Sequence, residues 1–428
     1  MHTSQTPLVL QSIFLMMKRI PHIVLILLSW CHVSFAQQEK VPYVILVSFD
    51  GFRHDYVEKW NLPNFKAFIK KGTQAEAIVP CFPSLTFPNH YSIVTGLYPA
   101  SHGLVDNGFY DSASNTVYRM HEKEKVVDPY YYGGTPLWQL ARQHGLKSAS
   151  YFWVGSEVSD PKLRPDYYYP YEESVPYQSR IDQVISWLKL PENERPHFIT
   201  LYFSSPDSES HDYGPFAEET KKVVFRMDSL LGNLMKAVRE TKLPVNTILV
   251  SDHGLSELTV APETFIFLDE LIDINNKSIR ITNARAITHF YVDDAARADS
   301  LYNVLKRQEK NYTIWKKKDF PKRWHYQSPR VGDLVMVAKP YHTMVRSGRA
   351  KLFADVKPGQ KFGVHGYDPA ETKDMLGIFY AQGPNIKAGQ KIPALPNIDV
   401  YPLIVKILGL TLPLIDGNPE TLKKIYKK

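Results

Sequence analysis

Six side chains carry most of the chemical potential of this sequence: Asp50, Asp207, His211, Asp252, His253 and His365. Asp50 closes the apolar run Val44-Ile45-Leu46-Val47-Ser48-Phe49, and Asp252 closes Ile248-Leu249-Val250-Ser251. Asp207 lies just past Leu201-Tyr202-Phe203. In a parallel α/β sheet, ligands gather beyond the carboxyl ends of the strands, so acids at three strand ends converge on one edge. A lone aspartate there more often caps a helix or forms a turn. Partners shift that balance: His211 follows Asp207 by four residues, and His253 adjoins Asp252. Carboxylates mixed with imidazoles suit Zn²⁺, with Mn²⁺ or Co²⁺ as substitutes. His365 sits between Gly363 and Gly366, which permit a tight loop. Such a histidine alone is more often solvated or structural.

Thr86 supplies a second kind of chemistry. The stretch Phe82-Pro83-Ser84-Leu85-Thr86-Phe87-Pro88-Asn89-His90 leads into an apolar-periodic helix, with Pro88 in its first turn and Gly96 at its stop. Thr86 therefore stands at a helix N-terminus, where free backbone N–H groups and the helix dipole favour an alkoxide or a phosphate. Taken alone it reads as an ordinary N-cap. A metal held by Asp50, Asp252 and His253 would lower the hydroxyl pKa and make Thr86 a nucleophile. Asn107 has the chemistry to donate a hydrogen bond to a phosphoryl oxygen, and reads equally as an Asn-Gly turn. His90 and His102 have no spacing argument and read as structural. Two metals around a threonine nucleophile make a hydrolytic site for phosphate esters.

The elements that must position these residues alternate. Residues 43–49, 148–153, 198–203, 247–250 and 377–381 read as buried strands, and 61–71, 135–145, 180–190 and 216–241 as helices. That alternation predicts an α/β fold with a mostly parallel sheet flanked by helices. Residues 256–345 differ, with short alternating strands (288–292 and 333–337) and a Lys/Arg/Trp-rich stretch at 306–326, and read as a smaller α+β insertion. The catalytic core is then residues 37–255 and 346–428.

The N-terminus reads as a targeting segment. Met17-Lys18-Arg19 is a basic start, residues 23–30 are an apolar run too short to span a bilayer, and Ser34-Phe35-Ala36 offers a cleavage site. Residues 1–36 are thus expected to be a signal peptide, with Met1 or Met17 as its start and an uncleaved membrane anchor as the alternative. Removing them takes Lys18 and Arg19 and no acid, so the net charge of +7 becomes +5. That mild charge carries no dense cationic stripe for a nucleic-acid partner. Only Cys81 would remain, which excludes an internal disulfide and fits a bacterial periplasm, with secretion as the alternative. The expected product is a monomer without a membrane span.

The motifs VSFDG (47–51), FPSLTFPNHY (82–91), GLYPASHGLVDNGFYD (96–111), PD…H…GP (206–215), SDHG (251–254) and FGVHGYD (362–368) stand in one order. Across residues 42–405 the chain resembles the nucleotide pyrophosphatase/phosphodiesterase family of the alkaline phosphatase superfamily, as an exported bacterial member. The resemblance implies an alkaline-phosphatase-like fold and two Zn²⁺ per chain. One would be held by Asp207, His211 and His365, the other by Asp50, Asp252 and His253. It implies Thr86 as the nucleophile of a phosphothreonine intermediate and Asn107 on the phosphoryl group. It also implies Phe87 stacking on a base, with Tyr171 opposite and Tyr202 assisting. The implied activity is hydrolysis of nucleotide phosphodiester or pyrophosphate bonds to a nucleoside 5′-monophosphate. A choline or glycerol phosphodiesterase and a phosphomonoesterase are alternatives on the same scaffold. Ser210 departs from the family pattern, which has glycine there, and fits if its φ is negative.

Overall fold

The computed structural model describes residues 41–428 except Ser347; the expected signal peptide lies outside the described residues. An eight-stranded sheet organises the body. Its spatial order is 390–392, 73–75, 379–382, 245–250, 43–49, 198–203, 148–151 and 167–169. Only the strand Phe379–Gln382 runs against its neighbours; the other pairings are parallel. The expected mostly parallel α/β sheet is therefore present, with one reversed strand inside it.

The central strand Tyr43–Phe49 is buried on both faces along its whole length. A continuous apolar run is what a doubly covered parallel strand requires, because helices exclude water from both sides. Its register sets the level of the site. Ser48 pairs with Val250 on one side, and Phe49 pairs with Phe203 on the other. Asp50 and Asp252 thus emerge two residues past the same rung. Asp50 N–H donates to Phe203 O at 2.9 Å, and Asp207 N–H donates to Asp50 O at 3.1 Å, which brings the third acid to that edge.

The long helix Glu218–Glu240 packs on one face and carries a buried acid, Asp228. Its carboxylate accepts from the N–H groups of Asn64 and Phe65, both at 2.9 Å, and from the Asn64 side-chain amide at 2.8 Å. The helix Pro63–Lys70 has Leu62 at its N-cap, with no side chain of its own to satisfy these amides. Asp228 caps it from across the interface, a charge-assisted arrangement at the positive end of the helix dipole. Gly232, one turn on, leaves the space that Asn64 fills: a Cβ there would lie 2.5 Å from Asn64 Oδ1.

Residues 256–345 build a second sheet of four antiparallel strands, in the order Ile279–Asn283, Ile287–Val292, Leu334–Ala338 and Tyr312–Lys316, with the helix Ala295–Arg307. Its apolar core includes Phe290, Leu305, Ile314 and Met336 and continues into Val364 and Tyr367. Polar ties also join it to the larger sheet's body. Arg330 donates to Asp111 at 2.9 Å and to the carbonyls of Gly103 and Tyr131, and Tyr326 OH donates to Val105 O at 2.6 Å.

Asp228→Ala is expected to lower stability by about 2–3 kcal/mol, since buried donors lose a charged acceptor. The check is the urea midpoint with an unchanged m-value; a loss under about 0.5 kcal/mol would contradict the capping role.

Candidate active site

Asp207 opens the short helix Asp207–Tyr213, so His211 lies one turn on along the same face, its Nε2 3.5 Å from Asp207 Oδ2. Ser210 lies inside that helix, fully buried, and its Oγ donates to Pro206 O at 2.7 Å; serine is accommodated in ordinary helical backbone. His253 follows Asp252, and its Nε2 lies 3.1 Å from Asp252 Oδ2 and 3.8 Å from Asp50 Oδ1. His365 follows the strand Lys361–Val364, with Nε2 4.0 Å from Asp207 Oδ1. The His253 and His365 rings stack at 3.7 Å between centroids. Gly51 takes φ +67°, and a Cβ there would lie 2.8 Å from Asp207 Cβ, so the close approach of the two acidic segments requires glycine.

The three histidines share one arrangement. Nδ1 of His211 meets Gly363 O at 2.9 Å, Nδ1 of His253 meets Gly254 O at 3.1 Å, and Nδ1 of His365 meets Ser84 O at 2.9 Å. A carbonyl only accepts, so each Nδ1 carries the proton and each Nε2 keeps its lone pair. All three lone pairs face the acids, as metal-ligating imidazoles do when their other nitrogen is tied down. Burial, followed by the neighbouring His365, His90 and His211, holds His253 well below its ordinary pKa; burial foremost lowers His365 to about 4. Both are neutral imidazoles near pH 7.

The carboxylates lack what the histidines have. Asp50 Oδ1, Asp207 Oδ1 and Asp252 Oδ2 are buried without a hydrogen-bond partner. Burial, then Asp252 and Asp207, raises the Asp50 pKa well above the carboxylate range; burial, then Asp207, does the same for Asp252. Buried carboxylate oxygens at this density are satisfied by protons or by cations. Ligand atoms of Asp50, Asp252 and His253 lie within 4.8 Å of one another, as do those of Asp207, His253 and His365. The donor set fits two metal ions, with His253 within reach of both groups and His211 approaching through Asp207.

Thr86 is the first residue of the helix Thr86–Thr95, half-buried, with Oγ1 3.3 Å from His253 Nε2. Gly96 ends that helix in the left-handed region. The expectation of free helix-terminal N–H groups is corrected in part. Phe87 N–H donates to Asn107 Oδ1 at 2.9 Å, and Pro88 has no N–H to offer. That bond fixes Asn107 with its oxygen toward the helix, leaving its NH₂ to donate elsewhere.

Phe87, Tyr171 and Tyr202 line a cavity of about 540 Å³ that also reaches Asp50, Thr86 and Asp207. Tyr202 does more than line it: its hydroxyl donates to Asp50 Oδ2 at 2.7 Å. The Tyr171 and Tyr202 rings are 6.0 Å apart at 64°. Trp153, Glu157 and Lys123 complete the walls and were not identified from sequence. Trp153 and Glu157 follow the strand Ser148–Tyr151, which ends on the same sheet edge as the acids, and that was the available signal. His90 is structural, as its lack of a spacing pattern suggests, and the structure it holds is that of the site. Its ring is fully buried, its Nδ1 donates to Thr86 O at 3.0 Å and lies 3.3 Å from Asp252 Oδ2, and Ser48 donates to its Nε2 at 2.8 Å. His102 is remote, bonded to Ser92 Oγ at 3.0 Å.

Residues 44–368 match the family model described as type I phosphodiesterase / nucleotide pyrophosphatase. The human ectonucleotide pyrophosphatase/phosphodiesterase family member 1 is 35% identical over 399 residues, covering 91% of this chain and 42% of that protein. The venom phosphodiesterase of Crotalus durissus collilineatus is 35% identical over 91% of this chain and 47% of its own. The chain thus spans less than half the length of these curated relatives. Among solved structures, murine ectonucleotide pyrophosphatase/phosphodiesterase 5, in an inactive form complexed with AMP, superposes with TM-score 0.82 at 29% identity, covering 90% of this chain and all of that one.

Removing metal is expected to leave the protein pH-sensitive. Asp50 and Asp252 have folded pKa values raised above their unfolded ones. The metal-free fold therefore binds extra protons, and loses stability as pH rises from the ordinary carboxylate range through the raised folded values. Chelated protein should melt on the order of 5–10 °C below metal-loaded protein at pH 8, with the gap narrowing at pH 5. A gap that widens on acidification would contradict the crowding of carboxylates.

Proposed function

Because this chain belongs to the type I phosphodiesterase/nucleotide pyrophosphatase family of hydrolases, we propose that it hydrolyses nucleotide phosphodiester and pyrophosphate bonds, releasing a nucleoside 5′-monophosphate. The observation that carries this reading is the set of three Nε2 lone pairs facing three orphaned carboxylates beside Thr86. We propose zinc as the metal, held by Asp207, His211 and His365 and by Asp50, Asp252 and His253. When bound, two such ions would acidify the Thr86 hydroxyl and neutralise charge on the attacking and departing oxygens.

In the proposed reaction Thr86 Oγ loses its proton to solvent and attacks phosphorus in line. The bond from phosphorus to the leaving oxygen breaks, and the electron pair departs with that oxygen. Water then attacks the phosphothreonine, restoring the hydroxyl and freeing the monophosphate. The Asn107 amide donates to the phosphoryl oxygen on which charge grows. Its bond to Phe87 N–H keeps that donor in register with the nucleophile. His90 holds the Thr86 carbonyl, and so the start of the helix, from behind.

Phe87, Tyr171 and Tyr202 offer ring faces to a base, each stack contributing about 1–3 kcal/mol. The AMP complex of the murine relative supports this reading. Glu157 and Glu173 line the same cavity, an observation favouring a choline headgroup through carboxylates and rings together. Against it, Lys123 shares the cavity, and burial raises the Glu157 pKa, which weakens its pull on a cation. The proposal extends to export into a bacterial periplasm as a monomer, supported by the signal-like residues 1–36 and the single remaining cysteine. No helix of the described residues is long and apolar enough to cross a membrane.

The p-nitrophenyl ester of thymidine 5′-monophosphate should be turned over far better than p-nitrophenyl phosphorylcholine or p-nitrophenyl phosphate. Preference for either of the latter would replace the nucleotide reading by a headgroup diesterase or a monoesterase. Thr86→Ala should lose about 10³-fold or more in kcat with its metal content unchanged. Asn107→Ala should lose roughly 10²-fold in kcat, the scale of one oxyanion donor. Retention of wild-type turnover by Thr86→Ala would refute the covalent route.

A further inference from the structure

The amide of Asn107 has no helix or strand of its own to hold it. It stands on a bend between the helix Pro99–His102 and the strand Gly108–Asp111, half-buried. Val105 and Asp106, just before it, are buried. A donor placed beforehand meets growing charge without a cost of reorganisation, so the bend must be firm. The bond from Phe87 N–H fixes the side-chain oxygen, and Met120 N–H donates to the Asn107 carbonyl at 2.9 Å. The residues on either side are gripped from further away.

That grip comes from the α+β segment. Along the strand Ile287–Val292, Phe290 and Val292 enter the apolar core of the segment. Side chains alternate across a strand, so His289 and Tyr291 take the opposite face. There Tyr291 OH accepts Tyr110 N–H at 3.2 Å, and His289 Nε2 lies 3.3 Å from Asp106 Oδ2. Tyr326 OH, which donates to Val105 O, is 3.5 Å from the same Nε2. Residues 105, 106 and 110 are thus each tied to side chains of the α+β segment.

The hydrogen bonds give the Asp106–His289 pair a direction. Gly332 N–H donates to His289 Nδ1 at 3.3 Å, so Nδ1 accepts and the ring proton sits on Nε2, facing the carboxylate. Asp106 uses its other oxygen locally: Oδ1 accepts Gly108 N–H at 2.9 Å, closing a turn around Asn107. One oxygen of Asp106 shapes the bend and the other anchors it. Both side chains are only 1% exposed. Replacing both partners of a buried hydrogen bond by apolar groups of the same shape can be nearly neutral for stability. What this pair supplies is a fixed orientation for the next residue in the chain.

We propose that His289 is a positioning residue for the reaction, acting through Asp106 to hold the Asn107 amide where the phosphoryl oxygen will stand. The proposal rests on the reading of Asn107 given above and adds the part of the fold that aims it. His289 does not line the cavity that reaches Thr86, so it acts on the reaction only through the bend. The α+β segment thereby takes a share in the chemistry from behind. A misplacement of about 1 Å is enough to cost on the order of 10²-fold in rate. Loosening the anchor while keeping the amide should cost less than removing the amide.

The test is a double-mutant cycle read on the p-nitrophenyl ester of thymidine 5′-monophosphate. His289→Phe keeps a ring in place and removes the Nε2 donor. It should lower kcat by about tenfold, with KM within about threefold of wild type and metal content unchanged. On an Asn107→Ala background the same substitution should change kcat by less than about twofold, because the amide it aims is gone. His289→Gln, whose amide can donate to Asp106 from the Nε2 position, should stay within about threefold of wild type. Should His289→Phe fail to fold, Tyr326→Phe removes a single hydroxyl and carries the same cycle, with a fall in kcat of about threefold expected on the wild-type background only. Equal losses on both backgrounds would mark a merely structural role and overturn the proposal, as would wild-type kcat in His289→Phe. Wild-type turnover by Asn107→Ala would strike the reading of the amide itself, and the proposal with it.

Discussion

Three carboxylates crowded together and withdrawn from water are the constraint that the rest of this structure answers. Left to themselves, Asp50, Asp207 and Asp252 repel one another, and an oxygen of each is buried without a partner. They are held there by the parallel register of the central strand, which places Asp50 and Asp252 on one level, and by the Asp207 N–H to Asp50 O bond. The fully buried run Tyr43–Phe49 is the anchor that lets the sheet edge bear such crowding. Strength in the sheet and charge density at its edge are two sides of one arrangement.

The same constraint organises the imidazoles. Backbone carbonyls from three separate segments, at Ser84, Gly254 and Gly363, each take an Nδ1 proton and turn an Nε2 inward. Main-chain acceptors do not change protonation with pH, so the tautomers are fixed by the fold and not by the solvent. The segment carrying Ser84 leads directly to Thr86, which joins orientation of a ligand to placement of the nucleophile.

Much of the acidic edge was legible in the sequence, because apolar runs ending in aspartate state both a strand and where it stops. The helix start at Thr86 and its end at Gly96 were legible for the same local reason. The tautomers were not, since they depend on carbonyls as distant as Gly363 from His211. Neither was the bond from Asn107 to Phe87 N–H, which consumes a helix-terminal donor that helix position alone suggested was free. His90 lacked a spacing signal because it reaches Asp252 through space from within its own helix. Trp153 and Glu157 belong to a loop without a motif, and nothing in their spacing ties them to the cavity they line with Asp50.

Tyr202 belongs to two environments. Its ring walls the aromatic cavity, and its hydroxyl donates to Asp50 Oδ2 at 2.7 Å. A ligand that shifts the ring also shifts the proton shared with a carboxylate that must remain a strong donor. Occupancy of the cavity and affinity at the metal edge are then thermodynamically linked, and linkage is reciprocal: whatever one does to the other is returned in equal measure. A residue that sequence placed only on the recognition surface thereby touches both the aromatic cavity and the acidic edge.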